Sequence, residues 1–175
     1  MKANYIYLIS QLPMLNFGIR PPFSLEEFIR LSGEFIPEED LSLLNNLPQP
    51  QDYSLLGKIN PVLRQWVDFD ISLRNELAKI RSARRHIDAS SYLRQTALED
   101  SHIAHIAQNV SRNPSPLDAE RILDEARWAA LDGFEAGHFF DFEILMIYAY
   151  KLMILWRWEK IRCADKEEAL EEVLV

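Results

Sequence analysis

Hydrophobic residues recur every three or four positions along most of this chain, which is the spacing of one face of an α-helix. The clearest case begins at Asn60-Pro61 and runs to about Ile87, and it predicts a long helix with a mixed-charge opposite face. Arg74 lies one turn after Asp70 and is predicted to pair with it. The apolar positions of this helix are Trp66, Leu73, Leu77, Ile80 and Ile87.

Two short helices are predicted before this long one. Ser24 opens the motif "SLEE", a capping box in which the serine hydroxyl and the Glu27 carboxylate each bind a terminal backbone amide. Pro37, followed by acidic residues, is typical of the start of the second short helix. Pro48 and Pro50 are predicted to end it, because proline cannot continue a helix.

Two further helices are predicted after the long one. One covers about Tyr92 to Val110. Ser115 caps the next, with Pro116 at its first position. Gly133 and Gly137 are predicted to end that helix and to permit a tight reversal of the chain. Its apolar stripe consists of Ile122, Leu123, Ala126, Ala130 and Phe134.

The stretch "HFFDFEILMIYAYKLMILWRWEKIR", residues 138–162, is apolar on nearly every side of the helix it predicts. A helix of this kind is either central in a protein or has a face reserved for a partner. A membrane span is not predicted, because Asp141, Glu143, Lys151 and Arg157 interrupt the apolar run. We expect a long core helix whose far end also serves in docking.

Together these patterns predict an all-α protein, an irregular helical bundle of about six helices with a long, mostly buried C-terminal helix. The chain of 175 residues contains 48% hydrophobic residues and only five glycines, which favours packed helices over tight turns. A single domain over 1–175 is expected. Its short helices and proline-rich connections occupy 1–57, and its long-helix core occupies 58–175.

The net charge of −8 makes the molecule as a whole repel nucleic acid, so no nucleic-acid partner is predicted. Positive charge is nevertheless concentrated in "RNELAKIRSARRH", which suits an oriented encounter with a charged protein partner. Tryptophan and arginine are the residue types that dominate interface energies. The candidate partner-binding residues are therefore Arg74, Arg81, Arg84, Arg85, Lys151, Trp156 and Trp158.

Catalytic signatures are absent from the sequence: it contains no glycine-rich phosphate loop, no nucleophile elbow and no zinc-type His-Glu-x-x-His motif. We therefore predict a non-catalytic protein without a cofactor. An alternative is a metal site of the ferritin-like type, in which Glu-x-x-His pairs from two helices meet. Glu99 with His102 and Glu135 with His138 have this spacing, although Gly137 interrupts the second pair. Glu76, together with either Glu143 or Glu159, would supply the further carboxylates that complete such a site.

The stretches "LRNELAKIRSARRHIDASSYLR" and "LDAERILDEARWAALDGFEAGHFFDFEIL", with the helix that continues to Ile161, resemble a family of small uncharacterised bacterial proteins encoded among the subunits of V-type ATP synthases. The pattern "HFFDFEILMIYAYKL" also resembles the closing helix of the C-type (or d-type) subunit family of those complexes. The likeness covers most of the chain from about Trp66 to Ile161, and the N-terminal "YIYLISQLP" is similar too.

This resemblance implies a shortened C-type subunit, a non-catalytic component that couples or assembles the central stalk with the membrane ring. The implied partners are other V-type ATPase subunits, and the implied location is the cytoplasm, peripheral to the inner membrane through the complex. The transported ion, proton or sodium, stays open. A free-standing helical adaptor is the other alternative, and it would differ in having no ATPase subunit among its partners.

Overall fold

The computed structural model describes residues 4–47, 60–96, 98 and 100–174, with side chains described as far as Ala164. The regular structure in these residues is entirely helical, which confirms the predicted all-α fold with a long C-terminal helix. A short 3-10 turn covers Ser90–Tyr92. The α-helices are α1 (Tyr5–Gln11), α2 (Leu25–Ser32), α3 (Glu38–Asn45), α4 (Pro61–Arg85), α5 (Ser101–Arg112), α6 (Pro116–Phe134) and α7 (Phe142–Leu174).

The chain forms two compact units. The first unit combines the N-terminal part, up to Leu47, with the part from Gly137 onward, and in it α1, α2 and α3 each contact α7. The second unit ends at Ala136 and contains α4, α5 and α6, each in contact with the other two. The predicted division between residues 57 and 58 lies outside the described residues.

In the second unit, the segment that precedes α5 lies along α4 and does not form the first turns of α5. The Asn75 side chain accepts a hydrogen bond from the Arg94 backbone N–H at 2.9 Å and donates one to its carbonyl at 2.8 Å. The Ser72 hydroxyl donates to the Leu98 carbonyl at 2.9 Å. The prediction of a helix from Tyr92 was therefore wrong, because α4 side chains satisfy backbone groups that a helix would otherwise pair internally. Helix α5 begins at Ser101.

A buried ionic network joins α4 to α6 in the same unit. The Arg127 guanidinium donates to Asp70 on α4 and to Asp124 on its own helix, each at 3.0 Å. Asp70 also accepts a hydrogen bond from Arg74 at 2.6 Å, which confirms the predicted pair. Burial alone would lower the pKa of Arg127, but the charges and hydrogen bonds of Asp70 and Asp124 outweigh burial and raise it. The guanidinium therefore stays charged in the core.

In the first unit, aromatic residues hold the N-terminal segments on α7. Phe28 of α2 is fully buried, and its ring centroid lies 5.1 Å from that of Tyr148 on α7. The Trp156 indole N–H donates to the Phe23 carbonyl at 2.7 Å, and the Tyr148 hydroxyl donates to the Pro13 carbonyl at 3.0 Å. Irregular backbone before α2 is thus satisfied by side chains of α7.

Helix α7 is buried on all sides in its first half, as its all-round apolarity predicts. Leu145, Met146 and Ile147 are each at most 1% exposed, and consecutive residues of a helix point about 100° apart. Burial in three successive directions requires neighbours all around this part of the helix. No helix among the described residues is long and apolar enough to cross a membrane.

The other predicted caps and ends of helices are largely confirmed, with two corrections. The Ser24 hydroxyl caps α2 by accepting from the Glu27 N–H at 3.1 Å. The Glu27 carboxylate does not complete the capping box, because it accepts two hydrogen bonds from Arg30, at 2.9 and 2.7 Å, one turn later. Gly133 lies inside α6, whereas Gly137 provides the reversal with a φ of +92°. The predicted ends at Pro48 and Pro50 lie outside the described residues.

Candidate functional site

The basic segment found in the sequence forms an arginine surface, which we define as Arg81, Arg84 and Arg85 of α4 with Arg112 of α5. All four residues are exposed. The three on α4 are spaced three and four residues apart, so they share one side of the helix. Arg84 donates a hydrogen bond to the Ser111 carbonyl, which places the end of α5, and with it Arg112, beside the end of α4.

Three members of the arginine surface have no anionic partner within the described part of the chain. Arg81, Arg85 and Arg112 form no ion pair with another described residue, whereas Arg74 is bound to the buried Asp70. Arginines at helix C-termini also stabilise the helix dipole, which accounts for part of this placement. Their charge nevertheless remains available to an acidic partner, in a chain whose net charge is −8.

The other predicted partner-binding residues lie in the first unit, and they are less accessible. Lys151 is buried, with 7% of its surface exposed. Trp156 and Trp158 are half-buried, and the indole N–H of Trp156 is bound to the Phe23 carbonyl. Among the described residues of this unit, the exposed aromatic residues are instead Tyr7 of α1 and Phe139 and Phe140 just before α7. The tryptophan end of α7 therefore contributes to the unit itself.

The residues of the proposed Glu-x-x-His alternative are divided between the two units. His102 is exposed at the start of α5, and Glu135 follows the end of α6 in the same unit. His138 belongs to the first unit, and Glu99 lies outside the described residues. In the structure, His138 lies close to Asp141 and Glu143.

His138 forms a small cluster with Asp141 and Glu143, and their potential metal-ligand atoms all lie within 4.8 Å of one another. Nδ1 of His138 is 2.7 Å from Oδ2 of Asp141. One imidazole and two carboxylates are ligands that a divalent cation such as Zn²⁺ accepts. Asp141 also accepts the Ile144 N–H at 3.3 Å, so the cluster already serves as the N-terminal cap of α7. The local spacing His-x-x-Asp-x-Glu is the sequence signal for it.

Because Asp141 caps α7, Asp141→Ala should lower the free energy of unfolding by about 1 kcal/mol, since it leaves the Ile144 N–H without its acceptor. Asp141→Asn should cost less, because an asparagine oxygen caps equally well. Urea denaturation followed by circular dichroism measures both values. Equal losses in the two variants would show that the carboxylate charge, and not the cap, stabilises this end of α7.

Next to this cluster, a tyrosine and another carboxylate bring α1 and α3 to the same end of α7. The Tyr5 hydroxyl donates a hydrogen bond to the Asp40 carboxylate. Burial, the Asp40 hydrogen bond and the negative charges of Asp40 and Glu143 all raise the pKa of Tyr5 above its ordinary value. The phenol therefore remains protonated and acts as a donor that links the two short helices.

Comparison of the chain with protein-family models, with curated proteins and with solved structures found no match. The assignment of function therefore depends on the residues and geometry described above, together with the resemblance carried by the two quoted stretches.

Proposed function

We propose that this protein is a non-catalytic component of a V-type ATP synthase or ATPase, similar to its C-type subunit, which couples or assembles the central stalk with the membrane ring. The observation that carries the proposal is the arginine surface, a set of exposed and largely unpaired cations in an acidic chain. The proposal places the protein in the cytoplasm, peripheral to the inner membrane through the complex.

The location of the arginine surface supports a role in docking. Its residues lie at the ends of α4 and α5, in the unit where the Arg127 network joins α4 to α6. A surface held in place before binding loses little conformational entropy on binding, so more of its contact energy remains as affinity. Exposed charges at such a surface steer association and set orientation more than they add affinity. These are properties that a coupling component of a large complex requires.

The resemblance suggests which partner is proposed, and the positive charge of the arginine surface indicates where on this protein that partner would bind. The two quoted stretches resemble proteins encoded with V-type ATP synthases, and the first of them contains Arg81, Arg84 and Arg85. An acidic face of a stalk or ring protein is the complementary surface that we propose. Attraction between such exposed charges weakens as salt is added, because the Debye length falls to about 8 Å at physiological ionic strength.

Affinity purification of the tagged protein from its native cell in mild detergent tests the proposed function. We expect stalk or membrane-ring subunits of a V-type ATPase to co-purify, and mass spectrometry identifies them. Recovery of the protein without any ATPase subunit, from a preparation in which the ATPase is intact, would contradict the proposal. Recovery of a consistent set of other partners would favour the free-standing adaptor.

Charge reversal tests the arginine surface separately. The double variant Arg81→Glu/Arg85→Glu should reduce the recovered ATPase subunits roughly tenfold, because like charges then face each other across the interface. Arg30→Glu/Arg64→Glu makes the same change in net charge at exposed positions outside the surface, and it should leave recovery unchanged. Equal recovery with both variants would remove the arginine surface from the interface while leaving the proposed function standing.

A further inference from the structure

A cleft of about 580 Å³ opens between α4, α5 and α6 of the second unit. Its wall on α6 has no side chain longer than a methyl group over two helical turns, because Ala126, Ala129, Ala130 and Gly133 follow one another on the same face. A Cβ atom added at Gly133 would meet no other atom within 4 Å, so the cleft is open at that point. Two turns of helix give the wall a length of about 10 Å.

The rest of the lining combines apolar side chains with negative charge. The charged or titratable residues are Asp68 of α4, Asp100 before α5 and His102 of α5, and no lysine or arginine is among the described lining residues. Asp100 is occupied as the cap of α5, since it accepts the His102 N–H at 2.8 Å. The remaining lining residues are Gln65, Phe69, Leu98, Ile106 and Phe134.

Asp68 is the carboxylate of this lining that lacks a partner among the described residues. Its side chain is half-buried, and its carboxylate forms no hydrogen bond or ion pair with another described residue. A carboxylate next to an apolar wall loses hydration and gains nothing in return unless a cation or donor reaches it. The cleft therefore offers an unfilled apolar trough with an uncompensated anion on its side.

We propose that this cleft binds an organic ammonium ion, with the ammonium group at Asp68 and an apolar body along the small-residue face of α6. Asp100 adds negative potential, which attracts the cation and repels organic anions. A hydrated metal ion would leave the apolar wall empty, whereas an amine with a hydrocarbon body fills it. The volume falls within the roughly 300–1,000 Å³ of small-molecule sites. This inference does not rest on the proposed function.

Three probes that share one apolar body test the choice of ligand. They are 4-phenylbutylamine, 4-phenylbutanol and 5-phenylpentanoate, which carry a positive, neutral or negative head group at neutral pH on the same phenyl ring and four methylene groups. We expect the amine to shift the backbone amide NMR signals of Asp68 and of residues 126–134 in the ¹⁵N-labelled full chain. The alcohol should bind roughly tenfold more weakly, because it loses the charged hydrogen bond, and the carboxylate should not bind.

Two variants locate the site. Asp68→Asn keeps the shape of the side chain and removes its charge, and it should weaken amine binding roughly tenfold while leaving alcohol binding unchanged. Ala129→Phe fills the exposed part of the trough and should weaken both probes. The matched controls are Glu120→Gln and Ala83→Phe, which make the same kinds of change at exposed positions outside the cleft. Circular dichroism establishes that each variant is folded.

Several outcomes would overturn the proposal. They are equal binding of all three probes, shifts confined to another part of the chain, no effect of Asp68→Asn, and the absence of amine binding at millimolar concentration. If Ala129→Phe does not fold, the isosteric Asp68→Asn still decides the question, because it changes no volume.

Discussion

Replacing Arg127 with methionine is expected to lower the free energy of unfolding by roughly 3–5 kcal/mol, the range observed when one partner of a buried ion pair is removed. Asp70 and Asp124 are at most 1% exposed, so in the variant neither carboxylate can recover its hydration. Methionine fills much of the arginine's volume, so the loss reports charge and hydrogen bonding more than a cavity.

Arg121→Met is the matched control for this prediction. Arg121 lies on the same helix and pairs with Glu125 at 3.1 Å, but its side chain is 60% exposed. Water replaces the guanidinium there, so the loss should stay below about 1 kcal/mol. Urea denaturation monitored by the amide signals of α4–α6 gives both values. Similar losses in the two variants would mean that Asp70 and Asp124 find other partners, and that the network is not what fixes this unit.

A second substitution partly restores the balance of charge. Adding Asp70→Asn to Arg127→Met removes one of the two buried carboxylates that lose the guanidinium, and asparagine still accepts and donates hydrogen bonds. We expect the double variant to be more stable than Arg127→Met alone, because each buried carboxylate that loses a positive partner keeps its desolvation penalty with less to offset it. A double variant that is less stable would show that Asp70 is satisfied by its remaining contact with Arg74.

Replacing Phe28 with alanine is expected to destabilise the first unit by roughly 3–5 kcal/mol, the usual cost of removing a buried aromatic side chain. Phe28 is 0% exposed. Its ring lies against Tyr148, with centroids 5.1 Å apart, and it is stacked with Phe23 at 6.4 Å. The variant would lose the transfer free energy of the ring and leave a cavity in the contact between α2 and α7.

Phe139→Ala makes the same chemical change at a residue that is 72% exposed in the same unit. Its effect should stay within about 0.5 kcal/mol, as is usual for surface positions. Thermal and urea denaturation of both variants, followed at the amide signals of α2 and α7, provides the comparison. A loss below about 1 kcal/mol for Phe28→Ala would show that neighbouring side chains collapse into the space and that α2 is not anchored by this ring.

These two substitutions also probe how the chain unfolds, because Arg127 and Phe28 lie in different units. If the two units unfold as one cooperative transition, each substitution lowers the midpoint observed for the signals of both units. If they unfold separately, each substitution shifts the midpoint of its own unit. The amide signals of α4–α6 and of α2 with α7 distinguish these cases in a single titration.

Local sequence signals predicted most helices well. Ser24, the Asn60-Pro61 pair and the Ser115-Pro116 pair each stand where the structure begins a helix. Capping and the fixed φ of proline act within one turn, so they can be read without knowledge of the fold. The all-round apolarity of the last helix likewise predicted its burial, because such a surface requires neighbours on every side.

The start of α5 shows where such reading fails. Residues 92–100 carry no strong helix breaker, yet Asn75 and Ser72 of another helix bind the backbone of this segment. A hydrogen bond between residues far apart in the chain leaves no trace in local spacing. The contact between Arg127 and Asp70 was not predicted, because these residues are also far apart in the chain. Arg74 was recognised as a partner of Asp70 because it lies one turn away, whereas Arg127 lies on a different helix.

The candidate sites divide in the same way. The arginine surface follows from helical spacing together with local charge, and the sequence alone indicated Arg81, Arg84 and Arg85. The cleft was not predicted, because it forms only where the fold places Asp68 of α4 and a face of α6 in the same lining. The four small residues on that face were the one signal of it in the sequence. Helix positions, caps and the basic segment were determined by the sequence through interactions within a turn or two. Which side chains meet was decided by the tertiary structure, because packing and long-range hydrogen bonds join residues that the chain keeps apart.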